Sequence, residues 1–307
     1  MLVSAVLLYT FAPQLMSIFI RDTGVIAAGA AVLRIQAFAE PCVAIATVVS
    51  GVLRGSGDTK GPFYIAIIGM DGSLITGIRT GAAGAISCRL LARKDSCRVA
   101  VFGTGGQARM QIYALCELMA IKEVRVYARG RGGLDAYKSD VEAHTKVKVV
   151  ICSTAEEAME GADIAISTTP SKEYYVDSSA VKPGTHIVAV GADMAGKCEW
   201  DPKLFKGAKV VCDSIDQCVS RGETRNAIQA GIITRDDIYA EIGQLLSGSK
   251  PLRKNDEEIT IFDTTGMGIQ DNVTAVKVYE YAKAHGLVVI YKGGGAGNRF
   301  QIPYFWR

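Results

Sequence analysis

The run GTGGQA at 103–108 follows the apolar run RVAVF at 98–102 and leads into ARMQIYALCELMA at 108–120, whose apolar residues recur at helical spacing. Strand, glycine turn and helix in that order are the parts of a phosphate cradle. Gly103 permits the tight turn, Gly105 lets the backbone approach a pyrophosphate, and Ala108 allows the helix to pack closely on its strand. Amides exposed at the start of that helix then favour phosphate charge. An ordinary tight turn has the same composition, so the motif gains weight only from its surroundings.

Those surroundings are further short apolar runs: EVRVYA at 123–128, KVVI at 148–151, DIAIST at 163–168, HIVAVG at 186–191 and KVVCD at 209–213, separated by helix-length segments. The alternation predicts an α/β fold, a doubly wound parallel Rossmann sheet with its ligand at the carboxyl ends of the strands. At the end of the second strand an acid usually grips the ribose 2′-hydroxyl of NAD. Ala128 stands there instead, followed by Arg129 and Arg131, which favours NADP over NAD unless both arginines are simply solvated.

The whole chain of 307 residues is long enough for two unequal units. A net charge of +3, with acids and bases interleaved, gives no footprint for a nucleic-acid partner. The eight cysteines include no CxxC pair and sit mostly in apolar runs, which predicts buried free thiols in a reducing compartment and no metal site. Nothing local places His144, His186 or His285 beside a cysteine, so a thiol nucleophile is not expected.

Ahead of residue 70 the character changes. Residues 2–20 and 41–53 carry no charge and read as buried helices or membrane spans; the first is long enough to cross roughly 30 Å of hydrocarbon, and the second becomes so if it begins near Ile35 and tolerates Glu40. No basic residue precedes the first run and no small-residue cleavage site follows it, so a signal peptide fits poorly. The stretch LMSIFIRDTGVIAAGAAVLRIQAF, followed by GVLRGSGDTKGPFYIAIIG, resembles part of a multidrug and toxin extrusion (MATE) transporter over residues 1–69. Such transporters have many more spans, so this portion is expected to form no transport pathway. If it inserts, Arg54 and Lys60 orient the following domain to the cytoplasm, tethered to the inner face of the plasma membrane.

Five segments in order, MDGSLITGIRTGAAGA (70–85), GTGGQA, STTPS (167–171), PGTHIVAVGADMAGKCE (183–199) and EEITIFDTTGMGIQD (257–271), resemble the ornithine cyclodeaminase, archaeal alanine dehydrogenase and mu-crystallin family across residues 70–292. The resemblance implies hydride exchange between a nicotinamide and an amino-bearing carbon through an imine, taking ornithine to proline or alanine to pyruvate with release of ammonia. Taken alone, Arg79 reads as a solvated arginine after a short strand and Asp193 as a helix cap; by resemblance, Arg79 holds the substrate carboxylate and touches the cofactor, and Asp193 is the general acid/base. By the same carry-over Gly106 and Gln107 contact the cofactor phosphates, and Thr169, Val190, Gly191 and Ala192 line the nicotinamide side. Lys197 and Thr264 complete the cofactor contacts, and Thr265 lies by the substrate, although Thr264 and Thr265 also read as plain turn residues before Gly266. Glu199 and Asp213 recur in the pattern and are expected to be structural.

Family members are homodimers whose additional N-terminal segment builds the dimer interface and part of the substrate pocket. The transporter-like stretch stands in its place, so weak or no turnover is expected. The sequence leaves two further readings: a non-catalytic NADP-binding protein or ketimine reductase in the manner of mu-crystallin, and a MATE membrane fragment with a passenger domain. Residues 293–307 form a glycine-rich and aromatic tail.

Overall fold

The computed structural model describes residues 9–14 and 72–286, and the chain divides into two compact units, Met1–Asp71 and Gly72–Arg307. In the first unit only residues 9–14 are described, and all but Phe11 are helical. The remainder of the two expected apolar spans, and the tail at 293–307, lie outside the described residues. Among the described residues no helix is long and apolar enough to cross a membrane.

The second unit carries, among its described residues, eight parallel strands: β1 (Arg98–Phe102), β2 (Glu123–Tyr127), β3 (Lys148–Ile151), β4 (Ile164–Ser167), β5 (His186–Ala189), β6 (Lys209–Cys212), β7 (Ala240–Glu241) and β8 (Thr260–Asp263). Their order across the sheet is β3-β2-β1-β4-β5-β8-β6-β7. The chain therefore reverses its direction of travel between β1 and β4, and β1 pairs with both β2 and β4 in parallel register. The helices are α1 (Gly72–Leu91), α2 (Gly106–Leu118), α3 (Leu134–Thr145), α4 (Ala155–Met159), α5 (Ile215–Arg221), α6 (Glu223–Gln229), α7 (Ile242–Leu246) and α8 (Gly268–Ala284).

Period-two alternation sends the strand residues to opposite faces. Val99 and Val101 join Ile112, Leu115, Val124 and Ile164 in one apolar cluster, while Ala100 and Phe102 join Ile187, Trp200, Phe205 and Ile261 in the other. A sheet buried on both faces requires nearly continuous apolar runs, which is why RVAVF and HIVA are legible in the sequence. The six runs expected as strands are strands, shortened by up to two residues at their ends. β7 and β8 were not expected, and β8 enters the interior of the sheet between β5 and β6.

One local expectation is corrected. Arg79 does not follow a short strand; it lies within the 20-residue helix α1. Ile75, Thr76 and Ile78 favour extended backbone, but small residues on α1 let it lie close to α2, and that packing overrides local preference. A Cβ on Gly81 would stand 2.4 Å from the Met110 carbonyl oxygen, and one on Gly84 would stand 1.9 Å from Gln111 Oε1. Gln111 Nε2 donates to the Thr80 carbonyl at 2.9 Å, pinning the two helices together.

The same helix reaches a fully buried histidine. His186 Nε2 lies 3.2 Å from Ser87 Oγ and Nδ1 lies 2.8 Å from Thr260 Oγ1, so both ring nitrogens are committed to structure. Burial, followed by the Arg253 charge, lowers its pKa from 6.5 to about 3. The unfolded ring takes up a proton near its usual pKa while the folded ring stays neutral, so this group's stability contribution is lost as pH falls through that window. By about pH 4.5 the loss amounts to about 2–3 kcal/mol. Asp263, raised by burial from 3.8 to about 6, acts in the opposite sense on acidification, so the His186 effect is read as a difference between chains. A His186→Asn chain is expected to lose less stability than the parent between neutral pH and about 4.5, measured by urea unfolding; equal losses would sink the assignment.

Candidate functional site

The sheet's direction change puts a crevice at the carboxyl ends of β1 and β4, and the glycine turn lies there. Gly103 has φ +104°, and a Cβ on it would stand 2.8 Å from Thr168 Oγ1, so the turn after β1 presses against the segment leaving β4. The α2 N-cap, Gly105, makes no side-chain cap bond, leaving the first amides of α2 without an intrahelical acceptor. A Cβ on Gly105 or Gly106 would meet no atom within 4 Å, and Gln107 Oε1 is buried without a hydrogen-bond partner. Ala108 is fully buried in the core beneath. Unpartnered amide donors with clearance above them suit a pyrophosphate, whose oxygens accept.

The segment after β2 reaches toward the same crevice. Arg129 Nη2 donates to Ser171 Oγ at 2.9 Å, linking the end of β2 to the loop beyond β4. A Cβ on Gly133 would stand 2.9 Å from Thr104 Oγ1, so the loop carrying Arg129 and Arg131 lies against the glycine turn. The carboxyl end of β2 carries no acid, as the sequence indicated.

On the other side of β4 the expected residues converge around a carboxylate that the sequence marked only as structural. Glu199, fully buried, accepts hydrogen bonds from the Thr169 amide and hydroxyl, the Tyr175 and Ser167 hydroxyls and the Gly191 amide. Thr169 and Gly191 are therefore brought together, with Val190 and Ala192 buried beside them. The Thr169 hydroxyl points to Glu199 and Tyr175. Asp193 is half-exposed and caps no helix; its Oδ1 accepts from Lys197 Nζ at 2.5 Å.

A second buried carboxylate organises the turn after β8. Asp213 Oδ2 accepts from the Thr264 hydroxyl at 2.7 Å, the Thr265 amide at 3.0 Å and the Gly266 amide at 2.7 Å. Thr264 thus spends its hydroxyl on Asp213, while the Thr265 hydroxyl meets Gln217 Oε1 at 3.3 Å. Gly266 has φ +81°, and a Cβ there would stand 2.6 Å from Arg79 Nη1. The turn therefore delivers Gly266 against Arg79, whose Nε donates to Asp271 Oδ1 at 3.1 Å and whose Nη1 donates to Gln270 Oε1 at 3.3 Å, both at the start of α8. No hydrogen bond joins Arg79 to Asp193.

Sequence reasoning missed how these acids act together. Glu223 Oε1 accepts the Glu199 amide at 2.6 Å, and Asp263 Oδ2 accepts the Thr224 amide and hydroxyl. Burial raises Glu199, Glu223 and Asp263 above the usual carboxylate range. The available signal was an acid flanked by Cys198 and Trp200, a setting in which an unpaired carboxylate does not persist. The seven described cysteines are free thiols, as expected; Cys88, Cys152, Cys212 and Cys218 are buried, Cys97, Cys116 and Cys198 only partly so, and Cys42 lies outside the described residues. Burial pushes Cys88 and Cys198 up to about 12, which suppresses the thiolate needed for nucleophilic attack.

Comparison with known proteins finds relatives along most of the chain. The model of the ornithine cyclodeaminase/mu-crystallin family matches residues 51–286, beginning earlier than the boundary near 70 drawn from the motifs. A MatE model matches residues 1–76 and overlaps it. Alanine dehydrogenase from Archaeoglobus fulgidus is 39% identical over 242 residues, which are 79% of this chain and 73% of that protein. Ketimine reductase mu-crystallin from Mus musculus is 35% identical over 211 residues, or 69% of this chain and 64% of that protein. The solved structure of Thermococcus litoralis Delta(1)-pyrroline-2-carboxylate reductase in complex with NADH and L-proline superposes with a TM-score of 0.68 at 33% identity, covering 70% of this chain and 67% of that one. The chain thus spans about two thirds to three quarters of the length of these relatives. The parallel sheet, the glycine turn at its crevice and a family match over most of the sequence lead to one conclusion: the chain belongs to the ornithine cyclodeaminase/mu-crystallin family.

Proposed function

We propose that residues 72–286 bind NAD or NADP and serve hydride exchange at the amino-bearing carbon of a small amino or imino acid. The observation that carries this reading is the cradle of unpartnered α2 amides beside Gly105 and Gly106, with Arg79 presented at the turn after β8. When bound, the nicotinamide donates or accepts the hydride. Gly103, Gly105, Gly106 and Gln107 hold the phosphates, while Thr169, Val190, Gly191 and Ala192 shape the nicotinamide side. Thr264 and Lys197 serve that side through the groups they hold, Asp213 and Asp193.

Arg79 binds the substrate carboxylate. Asp271 and Gln270 fix its Nε and Nη1, leaving Nη2 without an acceptor among the described residues. Thr265, the residue before Gly266, serves the substrate side of this turn. Asp193, steadied by Lys197, passes protons to and from the substrate nitrogen or an attacking water. The substrate is of the alanine or ornithine type; the archaeal alanine dehydrogenase at 39% identity favours the alanine branch. Reduction of a cyclic imine, as named for the pyrroline-carboxylate and ketimine reductases, is the second reading.

Titration with NADH and NADPH, followed by assays with L-alanine, L-ornithine and a cyclic ketimine, tests the proposal. Turnover is expected to be weak, and cofactor binding with none at all for any of the three would leave the non-catalytic, mu-crystallin-like reading. Arg129 is assigned to the 2′-phosphate of NADP. An Arg129→Ala chain is expected to bind NADPH about tenfold more weakly with NADH affinity within about twofold, and equal changes for both would remove the NADP preference. The MatE match over 1–76 is the one observation behind a tether of a cytoplasmic domain to the membrane through residues 1–69, and among the described residues no helix is long and apolar enough to cross one. Recovery of the full chain in the soluble fraction without detergent would overturn it.

A further inference from the structure

We infer that Glu199 is the positioning residue for the nicotinamide half of the cofactor, an assignment that rests on the dinucleotide reading above. Its carboxylate sits between the carboxyl ends of two adjacent strands and bonds to both. Oε1 accepts from the Thr169 amide at 2.6 Å, the Thr169 hydroxyl at 2.7 Å and the Tyr175 hydroxyl at 2.9 Å. Oε2 accepts from the Ser167 hydroxyl at 2.7 Å and the Gly191 amide at 3.0 Å. Five donors saturate an acceptor-only group.

The tie is short because nothing larger fits. A Cβ on Gly191 would stand 2.3 Å from the Thr169 carbonyl oxygen and 2.4 Å from Glu199 Oε2, so the segments leaving β4 and β5 meet across this carboxylate. Trp200 Nε1 donates to Ser167 Oγ at 2.8 Å, and the Glu199 amide donates to Glu223 Oε1, which hold the carboxylate's own backbone in place. The 167–169 and 190–192 segments are the two walls expected to line the nicotinamide. The adenosine half, by contrast, is served by the α2 amides and the residues after β2, none of which touches Glu199. A defect at Glu199 is therefore expected to act on one half of the cofactor.

Glu199→Gln tests this, because it keeps the volume while turning one acceptor oxygen into a donor that faces other donors. Calorimetric titration of parent and variant with NADH and with ADP-ribose, which lacks the nicotinamide, gives the comparison. The variant is expected to bind NADH about tenfold more weakly than the parent, with ADP-ribose affinity within about twofold. Equal weakening for both ligands would mean a general structural role and would overturn the proposal, as would unchanged NADH affinity. If the Glu199→Gln chain fails to fold, Tyr175→Phe removes one donor and keeps the carboxylate, and the same two ligands decide in the same way. A parent chain that binds neither ligand would defeat the dinucleotide reading itself, and this inference with it.

Discussion

A Gly105→Leu chain is expected to fold as the parent does and to bind NADH and NADPH at least about a hundredfold more weakly. Gly105 has φ −76° and ψ −176°, a backbone conformation open to any residue, and a Cβ there would meet no protein atom within 4 Å. The folding cost is confined to a less favourable N-cap, a few tenths of a kcal/mol to about 1 kcal/mol. The binding cost is steric, because a pyrophosphate oxygen must come within hydrogen-bond distance of the α2 amides and a leucine side chain occupies that approach. Gly103 differs: at φ +104° with Thr168 close by, its substitution strains the fold itself. Nicotinamide fluorescence on titration, paired with a thermal melt, separates the two effects. Parent-like binding by a stably folded Gly105→Leu chain would show that the turn is no phosphate cradle.

The largest effect on stability is expected at Asp213. Removing its carboxylate with Asp213→Ala strips the acceptor from Thr264, Thr265 and Gly266 at once, and from the Ser214 amide and the Cys218 thiol, which both meet Oδ1. Buried donors left unpaired, together with the loss of charge-assisted bonds, give an expected destabilisation of about 3–5 kcal/mol. Asp213→Asn keeps one acceptor oxygen and is expected to fall between the two. Urea unfolding at a fixed pH measures the loss, and a change below about 1 kcal/mol would mean that water satisfies the turn. Because Gly266 of this turn lies against Arg79, the same substitution is expected to loosen the proposed carboxylate site.

These expectations divide between what residue order reveals and what only packing reveals. The glycine turn and six of the strands are legible because their requirements are local. A buried parallel strand needs an unbroken apolar run, and a backbone that must approach a phosphate needs glycine, so RVAVF-GTGGQA carries its own interpretation. Arg129 after a strand lacking a terminal acid is equally local.

Helix α1, the entry of β8 into the sheet interior and the work of the buried acids are not local. Ile75, Thr76 and Ile78 look extended until Gly81 and Gly84 are seen pressed against Met110 and Gln111. TIFD lies far along the chain from the strands it joins, so its place between β5 and β6 depends on contacts that no window of sequence contains. Glu199 and Asp213 have no period and no spacing to mark them. A carboxylate acquires its role from the donors that folding brings around it. Ser167, Thr169, Tyr175 and Gly191 in one case, and Thr264, Thr265 and Gly266 in the other, come from segments that only the tertiary structure makes neighbours.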